Sequence, residues 1–176
     1  MPSRRRVLAA LAGVLAFAPG LAPGLAVAAP ADTPEAFVAA AYARVTAGDG
    51  RMGGSEITDP VAAGRWFTRD VVKRWAAANA KAEKDGDIGP VDFDLLTASQ
   101  DPEVRRVAIE PREATADAAV VRVGLFTKKK GRPGEKPYTT LDFVLKRQDG
   151  AWRIDDVRKS AGEFPWSLRG LIAAAQ

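Results

Sequence analysis

The chain contains no cysteine and no histidine. Without thiols it forms no disulfide, carries no thiolate nucleophile and attaches no lipid through a cysteine. The missing imidazoles and thiols together exclude Ser-His-Asp and Cys-His nucleophile systems, structural zinc, and haem or copper held by those residues. Carboxylate, lysine, arginine, tyrosine, serine and threonine are left for chemistry. Long apolar runs are scarce as well. The one that stands out follows Ser3-Arg4-Arg5-Arg6 and extends from Val7 to Ala29. It is long enough to cross a bilayer, but Pro19-Gly20 and Pro23-Gly24 interrupt the helix that a span requires.

A basic head, an apolar middle and the small-x-small ending Ala26-Val27-Ala28 are the three parts of a secretory signal. The expected cleavage lies between Ala28 and Ala29, and the paired arginines before Val7-Leu8 point to the twin-arginine route. The chain therefore divides into a signal peptide over 1–28, a spacer over 29–32 and one domain over 33–176. The expected location is the periplasm or the exterior, with no membrane span after cleavage.

The formal charge of +4 invites a nucleic-acid reading. Three of the 26 basic residues, however, lie in the signal, which leaves 23 against 22 acidic ones. A near-neutral domain lacks the basic field that phosphate binding needs, so no nucleic-acid partner is expected. Cleavage of 28 residues from 176 leaves 148, enough for one core. A domain of that size buries roughly 68–70% of its extended surface.

Thr33-Pro34-Glu35 has the order of a helix start, a hydroxyl cap followed by proline and an early acid. Phe37, Val38, Ala41, Tyr42 and Val45 then recur at helical spacing, predicting a helix over 34–47. Residues 48–60 read as a glycine-rich loop. Trp66, Phe67, Val71, Val72 and Trp75 mark two helices over 60–84 with a break near Thr68. From 85 to 103 the chain is turn-rich and irregular. Four strands follow, over 104–110, 118–126, 139–146 and 152–158, with Asp149-Gly150 as a two-residue hairpin turn. Ser167–Ile172 closes as a short helix. Helices first and an antiparallel meander after is an α+β order, the helices packed on one face of the sheet.

Several segments resemble one family of exported bacterial proteins with the nuclear transport factor 2-like, or cystatin-like, cone fold, a domain of unknown function. The likeness rests on Phe37 with Tyr42, on the segment Asp92-Phe93-Asp94-Leu95-Leu96-Thr97-Ala98-Ser99-Gln100-Asp101, and on Asp149-Gly150-Ala151-Trp152-Arg153-Ile154-Asp155-Asp156-Val157 with Ser167-Leu168-Arg169. It covers about 33–172, and Leu95 stands where the pattern has proline. The resemblance implies a sheet curved around its first helix and an enclosed pocket. It supplies no established reaction, so no catalytic residue is carried over.

Asp85, Asp87, Asp92, Asp94, Asp101 and Glu103 cluster around one loop. An EF-hand register started at Asp85 places Pro90 where glycine belongs and Leu96 where the closing glutamate belongs, so no metal and no cofactor is expected. Asp94, Gln100 and Asp101 flank the apolar Leu95-Leu96 step; they either cap turns or line a pocket mouth. Under strict alternation Asp156 and Arg158 share a strand face with Trp152 and Ile154 and reach the same cavity, unless a bulge shifts the face and buries Val157. These five residues, Asp94, Gln100, Asp101, Asp156 and Arg158, are the ligand-binding candidates. Lys128-Lys129-Lys130-Gly131-Arg132 is a solvated hairpin tip or a contact for anionic lipid or an acidic protein. The leading expectation is a non-catalytic module binding a small molecule or a protein, with homodimerisation left open. An inhibitor or immunity-type interaction protein comes second, and an isomerase or dehydratase using a lone carboxylate third.

Overall fold

The computed structural model describes residues 33–47, 55–58, 60–101 and 103–176. The signal expected over 1–28, the cleavage expected between Ala28 and Ala29 and the spacer expected over 29–32 lie outside the described residues.

The first helix begins as its residue order requires. The Ala36 N–H donates to Thr33 Oγ1 at 3.2 Å, and α1 runs over Pro34–Ala47. Val38, Ala41, Tyr42 and Val45 are its buried stripe, laid across the first two strands. A four-residue helix, α2 (Ser55–Thr58), stands inside the segment expected to be loop; the burial of Ile57 gives it an apolar anchor. Next come α3 (Pro60–Trp66) and α4 (Arg69–Asp85).

The break between them is built from Phe67 and Thr68. Phe67 forms a parallel bridge to Ile154, and the Thr68 N–H donates to the Ile154 carbonyl at 3.0 Å. Thr68 is extended (φ −64°, ψ 150°), and its Oγ1 accepts from the Val71 N–H as the N-cap of α4. One residue thus ends the short helix, starts the long one and joins both to the sheet. At the far end of α4, Gly86 takes the left-handed conformation at φ 71°, and the Asp87 N–H closes on the Ala82 carbonyl at 2.8 Å.

The sheet is an antiparallel meander in chain order, β1 (Arg106–Ala114), β2 (Ala118–Phe126), β3 (Thr139–Gln148), β4 (Ala151–Lys159) and β5 (Trp166–Ser167), followed by α5 (Leu168–Ala174). Asp149 at φ 54° and Gly150 at φ 77° make the β3–β4 turn with both central residues left-handed, the geometry that matches strand twist. β1 runs past its expected end through Pro111, with a register shift between Pro111 and Glu113. Proline is tolerated there because β1 is an edge strand and its lost N–H faces no partner.

A second irregularity decides the faces of β4. Leu145 pairs with Ile154 and Val144 with Asp156, so Asp155 is an extra residue. Strict alternation across Trp152, Ile154, Asp156 and Arg158 is therefore broken, and the bulge alternative holds. Trp152, Ile154 and Val157 face the core, Ile154 opposite Leu145 and Val157 opposite Phe143, while Asp156 and Arg158 turn to the outer face. Trp152 and Ile154 are buried. Of the aromatic rings of α1, Tyr42 stands edge-on to Phe143 at 5.8 Å and Phe37 lies against Trp66 at 5.4 Å.

The outer face carries a row of polar side chains crossing the whole sheet. Glu110, Arg122, Asp142, Arg158 and Ser167 stand opposite one another on successive strands, alternating in sign over the first four. Within it Arg122 grips Asp142 through both terminal oxygens, at 2.7 and 2.9 Å. Among the described residues no helix is long and apolar enough to cross a membrane.

Candidate functional site

The loop before β1 is closed by its own polar groups. Asp94 Oδ1 accepts from the Leu96 and Thr97 N–H groups at 2.9 and 3.1 Å, and the Ala98 N–H donates to the Asp94 carbonyl at 2.8 Å. Ala98 pays for the tightness of this turn with a left-handed φ of 54°. The turn drives Leu95 and Leu96 into the core, where the Tyr42 hydroxyl donates to the Leu96 carbonyl at 2.7 Å. Burial, with the Asp94 carboxylate second, pushes the Tyr42 hydroxyl well above the ordinary tyrosine range. Gln100 reaches back to Asp92 Oδ2 at 3.1 Å, and Asp101 is exposed at the end of the turn. The bonds of Asp94 and Gln100 named here are those of caps and turns.

On β4 the two remaining candidates meet each other. Arg158 Nε donates to Asp156 Oδ2 at 2.8 Å, and Asp156 Oδ1 accepts from the Arg169 N–H in the first turn of α5 at 3.0 Å. Asp156 is buried and Arg158 largely exposed.

The densest polar assembly lies beside them, on residues outside the candidate set. Asp155, displaced by the bulge, accepts from Arg169 Nη2 at 2.6 Å and Thr68 Oγ1 at 3.1 Å through Oδ1, and pairs with Lys146 Nζ at 2.8 Å through Oδ2. Arg169 Nε donates to the Asp155 carbonyl at 2.8 Å, and Nη1 donates to Asp70 Oδ2 at 2.8 Å. Asp70 Oδ1 in turn accepts from Arg74 at 2.9 Å. Burial pushes the Asp155 carboxyl upward, but the Arg169 and Lys146 cations outweigh it and hold the group below the ordinary aspartate range. For Arg169 burial works against the charged form, and the Asp155 and Asp70 carboxylates more than restore it, leaving the guanidinium above its ordinary value.

Arg169 is also the wall between two grooves. On one side a polar groove of about 330 Å³ is lined by Thr68, Asp70, Lys146, Arg147, Gln148 and Asp155. On the other, a groove of about 270 Å³ runs between α4 and α5 over Val71, Arg74, Ile172, Ala173 and Gln176. Among the described residues no group of three carboxylates is placed to hold a metal ion.

The sequence held one sign of this assembly. Two consecutive aspartates in a strand cannot both follow alternation, so one must leave the ladder or bury its charge, which marks a bulge needing cations nearby. That Lys146, Arg169 and Thr68 supply the partners is a matter of register and helix docking, and no spacing announces it. No family model matches the chain, nor does any curated protein or solved structure.

Proposed function

We propose that this chain is an exported, non-catalytic binding module of the nuclear transport factor 2-like cone type, and that it takes a small anionic molecule where the two grooves meet at Arg169. The observation that carries the reading is the unequal hold on the Arg169 guanidinium. Its Asp155 partner is 9% exposed and its Asp70 partner 50% exposed. A surface ion pair is worth about 0–1 kcal/mol, so an incoming carboxylate or phosphate replaces Asp70 on Nη1 at small cost while Asp155 keeps the guanidinium in place. Arg74 stands beside the vacated position, and Val71, Ile172 and Ala173 offer an apolar bed for the rest of the molecule. A carboxylate-base enzyme is the weaker reading, because both Asp156 oxygens are already engaged.

The test is titration calorimetry with a panel of small aliphatic carboxylates and phosphate esters, joined to native mass spectrometry of protein recovered from the exported fraction. Asp70→Asn should tighten anion binding by removing the internal competitor, and Arg74→Ala should weaken it. Equal affinities in both variants and the parent would overturn the site.

A further inference from the structure

The β2–β3 connection, residues 127–138, lies at the end of the sheet away from the Arg169 grooves. It carries Lys128, Lys129, Lys130, Arg132 and Lys136 against one acid, Glu135. That acid is turned back to the base of the tip, where Oε2 accepts from Arg106 Nη2 at 2.9 Å and from the Arg132 N–H at 3.2 Å. Arg106 lies over the Phe126 ring at 3.6 Å, and Gly131 sits so close that a Cβ there would come within 3.0 Å of the guanidinium. The base of the tip is thereby braced, and its only negative charge is consumed internally. All five basic residues are exposed, and among the described residues none of the five side chains is in an ion pair.

Two large apolar side chains leave the same end of the sheet. Tyr138, 48% exposed, immediately precedes β3; Phe164, 70% exposed, lies in the β4–β5 connection. We propose that this end of the molecule docks on an anionic phospholipid surface. The basic side chains supply the attraction, and Tyr138 and Phe164 enter the headgroup region. Four of the five cations are lysine. Lysine is depleted and arginine enriched where proteins bind proteins, whereas a diffuse anionic surface needs point charges on long stems and no bidentate geometry. Aromatic groups beside such a cluster settle at the membrane interface, where one end of the ring stays wet. Because the domain is nearly neutral beyond its signal, the tip's charge also orients it on approach.

Co-flotation with vesicles tests the proposal. The protein should float with phosphatidylcholine vesicles containing about one third phosphatidylglycerol and not with pure phosphatidylcholine, and about 0.5 M salt should release it. Replacing Lys128, Lys129 and Lys130 together by Glu should lower partitioning more than about tenfold with an unchanged unfolding midpoint. Tyr138→Ser with Phe164→Ser should weaken binding to the anionic vesicles without abolishing its salt dependence. Failure of the parent protein to float with anionic vesicles, or undiminished flotation of the triple-Glu variant, would overturn it. Tight binding to polyglutamate with no flotation would overturn it too, assigning the tip to an acidic protein.

Discussion

Asp155 and Arg169 are joined twice, Nη2 to the carboxylate at 2.6 Å and Nε to the Asp155 backbone carbonyl at 2.8 Å. The second bond holds the bulge itself, so the pair ties α5 to the one place where β4 leaves its ladder. Arg169→Met keeps the stem and removes both bonds, leaving Asp155 with Lys146 and Thr68. Removing one partner of a buried pair costs about 3–5 kcal/mol; with Arg169 one third exposed and Lys146 still in place, about 2–3 kcal/mol is expected from urea unfolding at pH 7. Because the folded carboxyl titrates below its unfolded value, this stabilisation is complete above the ordinary aspartate range and lost as pH falls through the folded value. The gap between the parent and Arg169→Met should therefore be widest at neutral pH and narrow below about pH 4.

Tyr42 works in the opposite pH direction. Tyr42→Phe removes the bond to the Leu96 carbonyl and leaves that acceptor buried, at a cost of about 1–2 kcal/mol near neutrality. In the parent, burial and Asp94 raise the hydroxyl in the folded state, so the unfolded chain ionises first as pH rises and stability falls above about pH 10. The Phe variant lacks this alkaline loss. Unfolding midpoints of the two should converge as the pH passes 10.

The helical layer and the strand order were legible because they rest on local signals. Thr33-Pro34 starts α1, Thr68 breaks the second helical region, and Asp149-Gly150 turns the third strand into the fourth. What escaped depends on partners remote in the chain. Pro111 marks the end of a strand in the sequence, yet β1 passes through it because an edge strand forgives a missing donor. Ile57 organises a helix only because a core exists to receive it. Alternation puts Asp156 and Arg158 on the cavity face and a bulge puts them on the other, and only the extra residue on β4, set by its pairing with β3, decides between the two. The Arg169 cluster draws on β3, β4, α5 and the start of α4, a convergence that no window of sequence contains.

The loop candidates should separate by the job each side chain does. Asp94→Ala leaves the Leu96 and Thr97 N–H groups without their shared acceptor and should cost about 1–2 kcal/mol. Gln100→Met and Asp101→Asn act on exposed side chains and should stay within about 0.5 kcal/mol. Thermal unfolding of the three variants checks this. Equal losses would mean that Gln100 and Asp101 hold structure beyond the bonds named above.

Export is testable without any ligand. The mature chain should begin at or next to Ala29, and Arg4→Lys with Arg5→Lys should stop delivery, because twin-arginine recognition reads the guanidinium pair and not charge alone. N-terminal sequencing of the exported fraction checks the first point and fractionation of the double variant the second. Unchanged export of the double variant would assign the signal to the general secretory route.

Asp156 distinguishes a binding role from a structural one on the outer face of the sheet. Its carboxylate receives Arg158 from its own strand and the Arg169 N–H from α5, and it is buried at 2% exposure. Asp156→Asn keeps the shape and one acceptor oxygen but gives up the charge, so one of the two bonds weakens and stability should fall by about 1–2 kcal/mol. Asp156→Leu removes both acceptors, frees the first turn of α5 and loosens Arg169 along with it, at a larger cost of about 3 kcal/mol. Because Asp156 does not line either groove, Asn should leave anion affinity unchanged, whereas Leu should weaken it through the displaced Arg169. Calorimetry beside unfolding on the two variants reads this split. A loss of affinity in Asp156→Asn with unaltered stability would return Asp156 to the binding site proper.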